Sequence, residues 1–369
     1  MTARRRTELL EGLLAESDPE VSAILLTDPS DIRWLTGFSG SNGWLVVRSG
    51  SQILLTDGRY VEQAAGELAI HGSSADIEVC PTASAMIERA VATTEPGRRM
   101  WFQSAHLTVA THRSLTDRFD GELVPAPGSL AHIRRVKDDD EVGRIEAACR
   151  IADSALAGVL GMIGPGCSER DLRDELEYRM RRLGADGPSY DTIVATGPVN
   201  SAQPHHRPDS TVIREGHSVV IDVGALVEGY HSDMTRSFLV GEGDPELRRM
   251  HDVVLESHLA GLAAVRAGVP TRLVHDTCRE VFAREGLDSL YVHGTGHGVG
   301  LVIHEEPFLN SSSQTILMAG EVVTVEPGLY RVGAGGARVE DLVLVTEHGC
   351  RPLNTAPKDP TCPPSPPTT

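Results

Sequence analysis

The sequence lacks the patterns typical of disulfide-rich, membrane-spanning and nucleic-acid-binding proteins. Its six cysteines include no CxxC pair and show no regular spacing, which argues against a disulfide framework and a zinc knuckle. No apolar run is long enough to span a bilayer or to direct secretion. The net charge of -18 argues against a polyanionic partner. We therefore expect a cytoplasmic protein with no nucleic-acid or membrane partner.

The length and composition indicate a globular chain with two domains. Its 369 residues exceed what one ordinary core accommodates, and 40% hydrophobic with 23% charged residues is typical of globular proteins. From about residue 20 to residue 125, short apolar runs alternate with helical patterns, which predicts an α/β domain. The predicted strands are 21–27, 44–47, 53–56 and 100–102, and the predicted helices are 60–69, 83–93 and 107–119.

A domain boundary is predicted near residue 133, where prolines, a glycine and a basic cluster precede a new helix. Asp138 and Glu141 have the spacing of a helix capping box, and the apolar residues after them recur at helical spacing. The first domain is therefore expected to comprise residues 1–133 and the second residues 134–355. Residues 356–369 are rich in proline and poor in apolar residues, which predicts a disordered tail.

The second domain contains a faint internal repeat at an offset of 102 residues. In each copy a long helix ends at a glycine-containing turn, and a shorter amphipathic helix then ends at a glycine. The matching pairs are Ile163 with Val265, Gly166 with Gly268, Leu172 with Val274, Leu176 with Cys278, Met180 with Phe282 and Gly184 with Gly286. A genuine repeat predicts two related αβ halves with a ligand cleft between them. Chance similarity between two amphipathic helices would give the same matches.

Five acidic or imidazole side chains occur in an order that suits a shared pair of metal ions. They are Asp222, Asp233, His297, Glu326 and Glu340. Four carboxylates brought together in a strand-rich core repel one another unless a dication lies among them. One nitrogen ligand among oxygen ligands suits manganese, cobalt or zinc better than a thiolate-seeking metal. The sequence therefore favours a metalloenzyme.

Each of these residues also has an ordinary interpretation. The two aspartates could be turn or edge residues of a hairpin, and the two glutamates could be unremarkable acids at strand ends. His293, His297 and His304 lie in a stretch with four glycines in eight residues, which lets several imidazoles converge on a ligand. Three surface histidines on a flexible loop are the alternative.

With these residues in place, the sequence resembles the pita-bread metallopeptidases, in the branch that holds Xaa-Pro aminopeptidase (aminopeptidase P) and Xaa-Pro dipeptidase (prolidase). The resemblance covers nearly the whole chain. Residues 26–47 and 54–60 resemble the creatinase-type N-terminal domain, and residues 137–153 resemble the start of the catalytic domain. The order Asp, Asp, His, Glu, Glu is the most specific part of the match.

The resemblance implies an α+β fold, in which a creatinase-like α/β domain precedes a pita-bread catalytic domain with pseudo-two-fold αβ repeats. It further implies two divalent ions, with manganese expected first and cobalt or zinc as alternatives. In the family pattern Asp222 binds one ion, Asp233 and Glu340 bridge both, and His297 and Glu326 bind the other. A metal-bridging hydroxide then attacks the scissile carbonyl, and Glu326 takes up the water proton.

Further residues match family positions outside the metal ligands. His205 resembles the histidine that donates to the tetrahedral intermediate, with the adjacent His206 as a rival. His293 resembles a residue that bounds the substrate pocket, and His304 one that contacts the peptide at the scissile bond or its proline. Arg338 resembles a cation that orients the bridging carboxylates and contributes to substrate binding.

The function that the resemblance implies is hydrolysis of the Xaa-Pro bond at the N-terminus of small peptides. In some prolidases an arginine follows the HExP motif, whereas this chain has Phe308 there, which favours the aminopeptidase over the dipeptidase. A dipeptidase without strict proline preference is a further alternative. A creatinase-like hydrolase and a peptide-binding pseudoenzyme are disfavoured because all five ligands are present, and methionine aminopeptidase usually lacks so large an N-terminal domain. Relatives are commonly dimers, so a homodimer is expected.

Overall fold

The computed structural model describes residues 3–126 and 129–361. The chain divides into two compact units, Met1–Ile133 and Arg134–Thr369. Within the described residues, no helix combines the length and the apolar character needed to cross a bilayer. The five cysteines of the described part of the chain, Cys80, Cys149, Cys167, Cys278 and Cys350, are all free thiols.

The first unit is built on one mixed six-stranded sheet in the order β4-β3-β2-β1-β5-β6. Its strands are β1 (Val21–Leu26), β2 (Gly43–Arg48), β3 (Ser51–Thr56), β4 (Asp76–Val79), β5 (Arg99–Phe102) and β6 (Glu122–Pro125). Its helices are α1 (Ala3–Ser17), α2 (Pro29–Thr36), α3 (Val61–His71), α4 (Ala83–Ala92) and α5 (Val109–Thr116), and α6 (Ser129–Arg134) crosses the boundary. Adjacent strands pair in parallel except at β1-β2 and β2-β3. This unit has the predicted α/β architecture.

The second unit contains five helices, two 3-10 turns and thirteen short strands among its described residues. The helices are α7 (Asp139–Val159), α8 (Glu169–Arg182), α9 (Gly197–Asn200), α10 (Pro245–Ala264) and α11 (Thr271–Arg284), with 3-10 turns at Leu160–Met162 and Asp288–Leu290. The strands are β7 (Gly187–Pro188), β8 (Ile193–Thr196), β9 (Ser218–Asp222), β10 (Ala225–Val227), β11 (Tyr230–His231), β12 (Thr235–Leu239), β13 (Gly296–Gly298), β14 (Glu305–Leu309), β15 (Val322–Val325), β16 (Gly328–Arg331), β17 (Gly335–Arg338), β18 (Asp341–Val345) and β19 (Cys350–Pro352).

The start of α7 has the predicted capping box. The Asp138 side chain accepts from the Glu141 backbone N–H at 2.9 Å, and the Glu141 carboxylate accepts from the Asp138 N–H at 3.0 Å. Two otherwise unpaired backbone donors are thereby satisfied at the entrance to a 21-residue helix.

The internal repeat is present in the fold. Helices α8 and α11 are displaced by 102 residues at both ends, as Glu169–Arg182 and Thr271–Arg284 show. Each helix ends at a glycine with positive φ, Gly184 at 105° and Gly286 at 69°, in the same pattern of two backbone hydrogen bonds. In one half α7 and α8 pack on the sheet β12-β9-β8, and in the other α10 and α11 pack on the sheet containing β13-β15-β18.

The two halves present acidic residues at equivalent strand ends. In the first half Asp222 ends β9, and Asp233 lies two residues before its antiparallel partner β12. In the second half Glu326 directly follows β15, and Glu340 directly precedes its antiparallel partner β18. The Glu340 backbone N–H donates to the Thr235 carbonyl at 3.1 Å and joins the two pairs. The pseudo-symmetric sheets therefore bring four carboxylates to one place.

The C-terminal segment corrects one prediction. Residues 356–361, expected to be disordered, form hydrogen bonds with the second unit, for example from the Leu239 N–H to the Pro360 carbonyl at 2.8 Å. The buried Arg236 guanidinium also donates to the carbonyls of Ala356 and Pro357. Backbone carbonyls anchor this segment, so a shortage of apolar side chains does not prevent its packing. Residues 362–369 lie outside the described part of the chain.

Candidate metal centre

The aspartate pair is held by one tyrosine. The antiparallel register places Asp222 opposite Thr235, so Asp233 lies just beyond the end of the same ladder. The Tyr190 hydroxyl is 2.5 Å from the Oδ1 atoms of both Asp222 and Asp233. A phenol has one proton to donate, so it bonds one carboxylate at a time and orients both inner oxygens.

Glu340 completes a three-carboxylate cluster with the aspartates. One carboxylate oxygen from each of Asp222, Asp233 and Glu340 lies within 4.8 Å of the other two. The Thr235 hydroxyl donates to Glu340 Oε2 at 2.7 Å and fixes the orientation of that carboxylate. Asp233 and Glu340 are 5% and 1% exposed, so water screens their mutual repulsion poorly.

His297 directs its free ring nitrogen at two acidic side chains. Its Nδ1 lies 3.1 Å from the Gly298 carbonyl oxygen, which can only accept, so Nδ1 carries the proton of the neutral ring. Nε2 then carries a lone pair, and it lies 3.6 Å from Asp233 Oδ2 and 3.5 Å from Glu326 Oε1. Burial lowers the pKa of His297, which favours this neutral form. A backbone partner that fixes the tautomer is typical of metal-ligating histidines.

Arg338 is the cation at this cluster. Its Nη2 donates to Asp222 Oδ2 at 2.6 Å, and its Nε donates to the Thr235 hydroxyl at 2.9 Å. Its Nη1 donates to the Pro204 carbonyl at 2.9 Å and to the Tyr330 hydroxyl at 2.7 Å. The guanidinium therefore orients the outer oxygen of one aspartate, and it is 3% exposed.

The electrostatics show that one arginine does not neutralise the cluster. Burial raises the pKa of the Asp233 carboxyl well above its usual range, and the charges of Asp222 and Glu326 raise it further. Burial likewise raises the pKa of Glu340, with additional repulsion from Asp233 and Glu326. Burial also raises the pKa of Glu326. Further positive charge among these groups would favour their ionised forms.

The donor set fits a pair of divalent cations. Three clustered carboxylates, a fourth at Glu326 and the lone pair of His297 present oxygen and nitrogen ligands and no thiolate. A lone pair that faces two carboxylate oxygens at 3.5–3.6 Å is repulsive unless a cation lies between them. The structure thus brings together all five residues that the sequence predicted as ligands.

A cavity of about 370 Å³ opens onto this cluster. Its polar walls include six of the predicted site residues, and its apolar walls come from prolyl, isoleucyl and phenylalanyl side chains. The lining residues are Ile193, Pro204, His205, Asp222, His293, Gly294, Gly296, His297, Phe308, Asn310, Glu326 and Arg338. Ligand-sized space beside the acidic cluster is what a metallohydrolase requires.

The neighbouring histidines His205 and His206 have different surroundings. His205 lines the cavity, whereas His206 Nε2 lies 2.8 Å from Glu169 Oε2. The fully buried Glu169 carboxylate also accepts from the backbone N–H groups of Thr196 and Asp209 at 2.7 and 3.1 Å. His206 therefore anchors the loop that carries His205.

The other two predicted histidines lie at the edges of the site. His293 lines the cavity, with Nδ1 2.7 Å from the Gly294 carbonyl and Nε2 3.1 Å from the Tyr330 hydroxyl. The exposed His304 packs its ring against His297, with ring centroids 4.4 Å apart. His304 does not line the cavity that the other histidines share.

Sequence reasoning missed three hydroxyl groups that orient the charged residues. They are Tyr190, Thr235 and Tyr330. Thr235 could have been found from its position two residues after Asp233, a predicted ligand. Tyr190 and Tyr330 carry no local sequence pattern, since their role depends on contacts 32 and 8 residues away.

Comparisons with known proteins agree with this geometry. Residues 143–347 match the model of Metallopeptidase family M24, and residues 6–136 match the Creatinase/Prolidase N-terminal domain. The chain belongs to metallopeptidase family M24. As a member of that family it is an enzyme with the pita-bread fold, in the group of Xaa-Pro dipeptidases and aminopeptidases, and the family uses a dinuclear divalent metal site.

Similarity extends over nearly the full length of several M24 relatives. The structure of an Xaa-Pro dipeptidase from Bacillus anthracis matches with a TM-score of 0.90 and 34% identity, over 97% of this chain and 99% of the other. That of an X-Pro aminopeptidase from Thermotoga maritima MSB8 matches with a TM-score of 0.87 and 30% identity, over 96% and 98%. The uncharacterized peptidase YqhT of Bacillus subtilis (strain 168) is 35% identical over 92% of this chain and 95% of its own length.

Proposed function

We propose that this M24 enzyme is an Xaa-Pro aminopeptidase that holds two divalent ions, manganese first among them. The observation that carries the proposal is the cluster of three carboxylates within 4.8 Å, faced by the unprotonated nitrogen of His297. In this proposal Asp222, Asp233, His297, Glu326 and Glu340 would hold the two ions. Bound ions would lower the pKa of a water molecule and polarise the scissile carbonyl.

The residues of the chain perform the remaining tasks. Tyr190 and Arg338 orient the aspartates, so the ligands are arranged before substrate enters. Glu326 borders the cavity and is placed to accept a proton from the attacking water and pass it to the leaving proline nitrogen. His205, on the cavity wall, is the donor that we assign to the developing oxyanion. Proline's rigid ring and tertiary amide fit a pocket with apolar walls.

The cavity wall favours an aminopeptidase over a dipeptidase. A dipeptidase must pair the free carboxylate of its substrate with a cation, whereas the wall here carries Phe308 and Asn310. Among the described residues that line the cavity, Arg338 is the permanent cation, and Asp222, Pro204, Thr235 and Tyr330 engage its guanidinium. A longer peptide places its carboxylate outside this space, so it avoids burying an unpaired charge.

Chelation and substrate length test the proposal. Dialysis against a chelator should abolish hydrolysis of an Xaa-Pro-Yaa tripeptide, and added manganese or cobalt should restore it. With manganese bound, Xaa-Pro-Yaa should be cleaved at least about tenfold faster than Xaa-Pro. Activity that survives complete demetallation would refute the metal mechanism, and faster cleavage of the dipeptide would make the enzyme a dipeptidase.

Phe308→Arg provides a matched test of the cavity wall. The new cation should pair with a dipeptide carboxylate and shift the ratio of kcat/KM values toward Xaa-Pro by about tenfold or more. Phe308→Leu keeps the wall apolar and serves as the control. An unchanged ratio in Phe308→Arg would mean that this position does not face the C-terminal side of the substrate.

A further inference from the structure

A fully buried carboxylate lies directly behind the acidic cluster. Asp341 follows Glu340, is 0% exposed and faces three cationic or imidazole side chains. Its Oδ1 is 2.8 Å from Arg236 Nη2, and its Oδ2 is 2.7 Å from Lys358 Nζ and 3.2 Å from His258 Nε2. The neighbouring cations and the His258 hydrogen bond outweigh the effect of burial and hold the pKa of Asp341 below its usual range. A charge so deeply buried persists only with partners in place.

This ion cluster contacts the backbone on either side of two proposed ligands. Arg236 Nη1 donates to the carbonyl of Glu340, and the Glu340 N–H bonds the Thr235 carbonyl at 3.1 Å. His258 Nδ1 lies 3.0 Å from the carbonyl of Val325, the residue before Glu326. The backbone at Glu340 and next to Glu326 therefore contacts two of the groups that meet at Asp341.

Lys358 joins this cluster from the C-terminal segment. Arg236 binds the carbonyls of Ala356 and Pro357, and the Leu239 N–H binds the Pro360 carbonyl, so the backbone on both sides of Lys358 is fixed. The chain contains 32 arginines and two lysines, at positions 137 and 358. The ammonium of Lys358 is a compact donor, and its side chain is 23% exposed, so its amino group reaches Asp341 from the protein surface.

We propose that Lys358 is a positioning residue for the metal centre. By completing the set of donors around Asp341, it fixes the Glu340 backbone and thereby the carboxylate that is proposed as a metal ligand. The inference rests on the proposed function for its effect on metal binding. It requires no contact between Lys358 and substrate or metal.

Lys358→Met is the test variant, because it keeps the length of the side chain and removes the charge and the donors. We expect its affinity for Mn²⁺, measured by competition with a chelator, to fall by about 10-fold or more, as is typical when a partner of a metal ligand is lost. Lys358→Arg should restore most of the affinity. In the metal-free protein, amide hydrogen exchange in a peptide spanning residues 336–342 should accelerate in Lys358→Met.

Arg351→Met is the matched control. Arg351 lies on β19 in the same C-terminal region and pairs with Glu146 at 2.6 Å, so its loss removes a cation and an ion pair away from Asp341. Its Mn²⁺ affinity and its exchange in residues 336–342 should equal those of the wild type. An equal loss of affinity in both variants would overturn the proposal, since any ion pair of this region would then suffice.

The outcomes separate this inference from the proposed function. Wild-type protein that binds no Mn²⁺ would refute the dinuclear metal centre, and the exchange measurement on metal-free protein would still decide the role of Lys358. Unchanged affinity and unchanged exchange in Lys358→Met would overturn the inference and leave the proposed function intact. If Lys358→Met does not fold, Lys358→Gln, which keeps an uncharged donor group, is expected to lose several-fold in Mn²⁺ affinity. Wild-type affinity in that variant would also overturn the inference.

Discussion

At the residue scale, Asp233 has opposite effects on the pH dependence of stability in the metal-free and the metal-bound protein. Burial and two neighbouring acids raise its pKa, so the folded metal-free protein holds a proton that the unfolded chain releases near pH 4. The folded state then binds more protons than the unfolded state, and its free energy of unfolding falls as the pH rises above that value. Metal binding reverses this dependence because cations favour the ionised carboxylate.

Asp233→Asn should therefore weaken the pH dependence of metal-free stability. Asn keeps an oxygen that accepts from Tyr190 and cannot ionise, so we expect the unfolding free energy of this variant to fall less between pH 5 and pH 8 than that of the wild type. Its Mn²⁺ affinity should fall by more than about 100-fold, beyond the loss typical of outer partners. Denaturant unfolding at several pH values and chelator competition measure both quantities. A steeper fall of the unfolding free energy with pH in Asp233→Asn than in the wild type would contradict a raised pKa of Asp233.

The neighbouring His205 and His206 should give opposite phenotypes. For His205→Ala we expect a fall of about 10²–10³ in kcat with unchanged unfolding midpoint and metal content, because a donor to the oxyanion is lost. His206→Ala leaves Glu169 with one partner fewer and should lower the unfolding free energy by about 1–3 kcal/mol, with kcat changed only a few-fold. Steady-state kinetics and denaturant unfolding on both proteins distinguish them. A reversed pattern would reassign the catalytic histidine.

The sequence predicted the proposed ligand residues better than the residues that orient them. A carboxylate at the end of an apolar strand is a visible pattern, but Asp222 and Glu326 gained weight as ligands only together with Asp233, His297 and Glu340 and from the family resemblance. The choice between His205 and His206 needed the structure, because adjacent residues share one pattern and differ only in direction. Tyr190 could not be predicted, since a tyrosine in a loop has no feature that announces two aspartate partners.

At the element scale, the two halves of the second unit end their shorter helices in the same way. The N–H of Ala185 bonds the carbonyl of Met180, and 102 residues later the N–H of Leu287 bonds that of Phe282, at 3.0 and 2.9 Å. Both turns require a residue with positive φ, which glycine adopts without strain. The repeat could be predicted because these glycines are visible in the sequence.

Gly286→Ala should lower the unfolding free energy by about 1–2 kcal/mol, because an alanine at a φ of 69° is strained. Gly143→Ala is the control. This glycine lies inside α7, and apart from its chain neighbours and the adjacent helix backbone no atom lies within 4 Å of an added Cβ. The substitution should raise the unfolding free energy by up to about 1 kcal/mol. Denaturant unfolding measures both. Equal destabilisation in the two variants would mean that φ is not the cause.

Two strands of the first unit escaped prediction for a physical reason. The edge strands β4 and β6 pair on one side only and have four residues each, with charged residues at Asp76, Glu78 and Glu122. The central strands β1, β2 and β3 are more apolar and were predicted within two residues of their observed ends. An apolar pattern identifies strands that are covered on both faces. The position of an edge strand is instead determined largely by the strand with which it pairs.

At the scale of the whole molecule, metal binding should appear as global stability. Ions that bind the folded chain and not the unfolded one stabilise it by about 2.7 kcal/mol at a concentration 100 times the dissociation constant. We expect the thermal midpoint of the wild type to rise steadily with Mn²⁺, and that of Asp233→Asn to stay nearly constant. Calorimetry against Mn²⁺ concentration measures this. A wild-type midpoint independent of Mn²⁺ would argue against ions at the acidic cluster.

The C-terminal segment shows the limit of composition as a predictor. Its prolines and polar residues are typical of disorder, yet residues 356–361 use backbone carbonyls and one lysine to bind a buried arginine and a buried aspartate. The buried arginine, Arg236, lies 120 residues before Ala356 in the chain. No local sequence pattern contains that information.

The scarcity of lysine has a practical consequence for chemical labelling. Of the two lysine side chains, Lys137 is 1% exposed against Glu305 and Lys358 is 23% exposed against Asp341. Reagents that acylate primary amines will therefore modify the side chains of the native enzyme slowly and those of the unfolded chain rapidly. Mass spectrometry of acylated peptides would thus report opening of the second unit without any engineered probe.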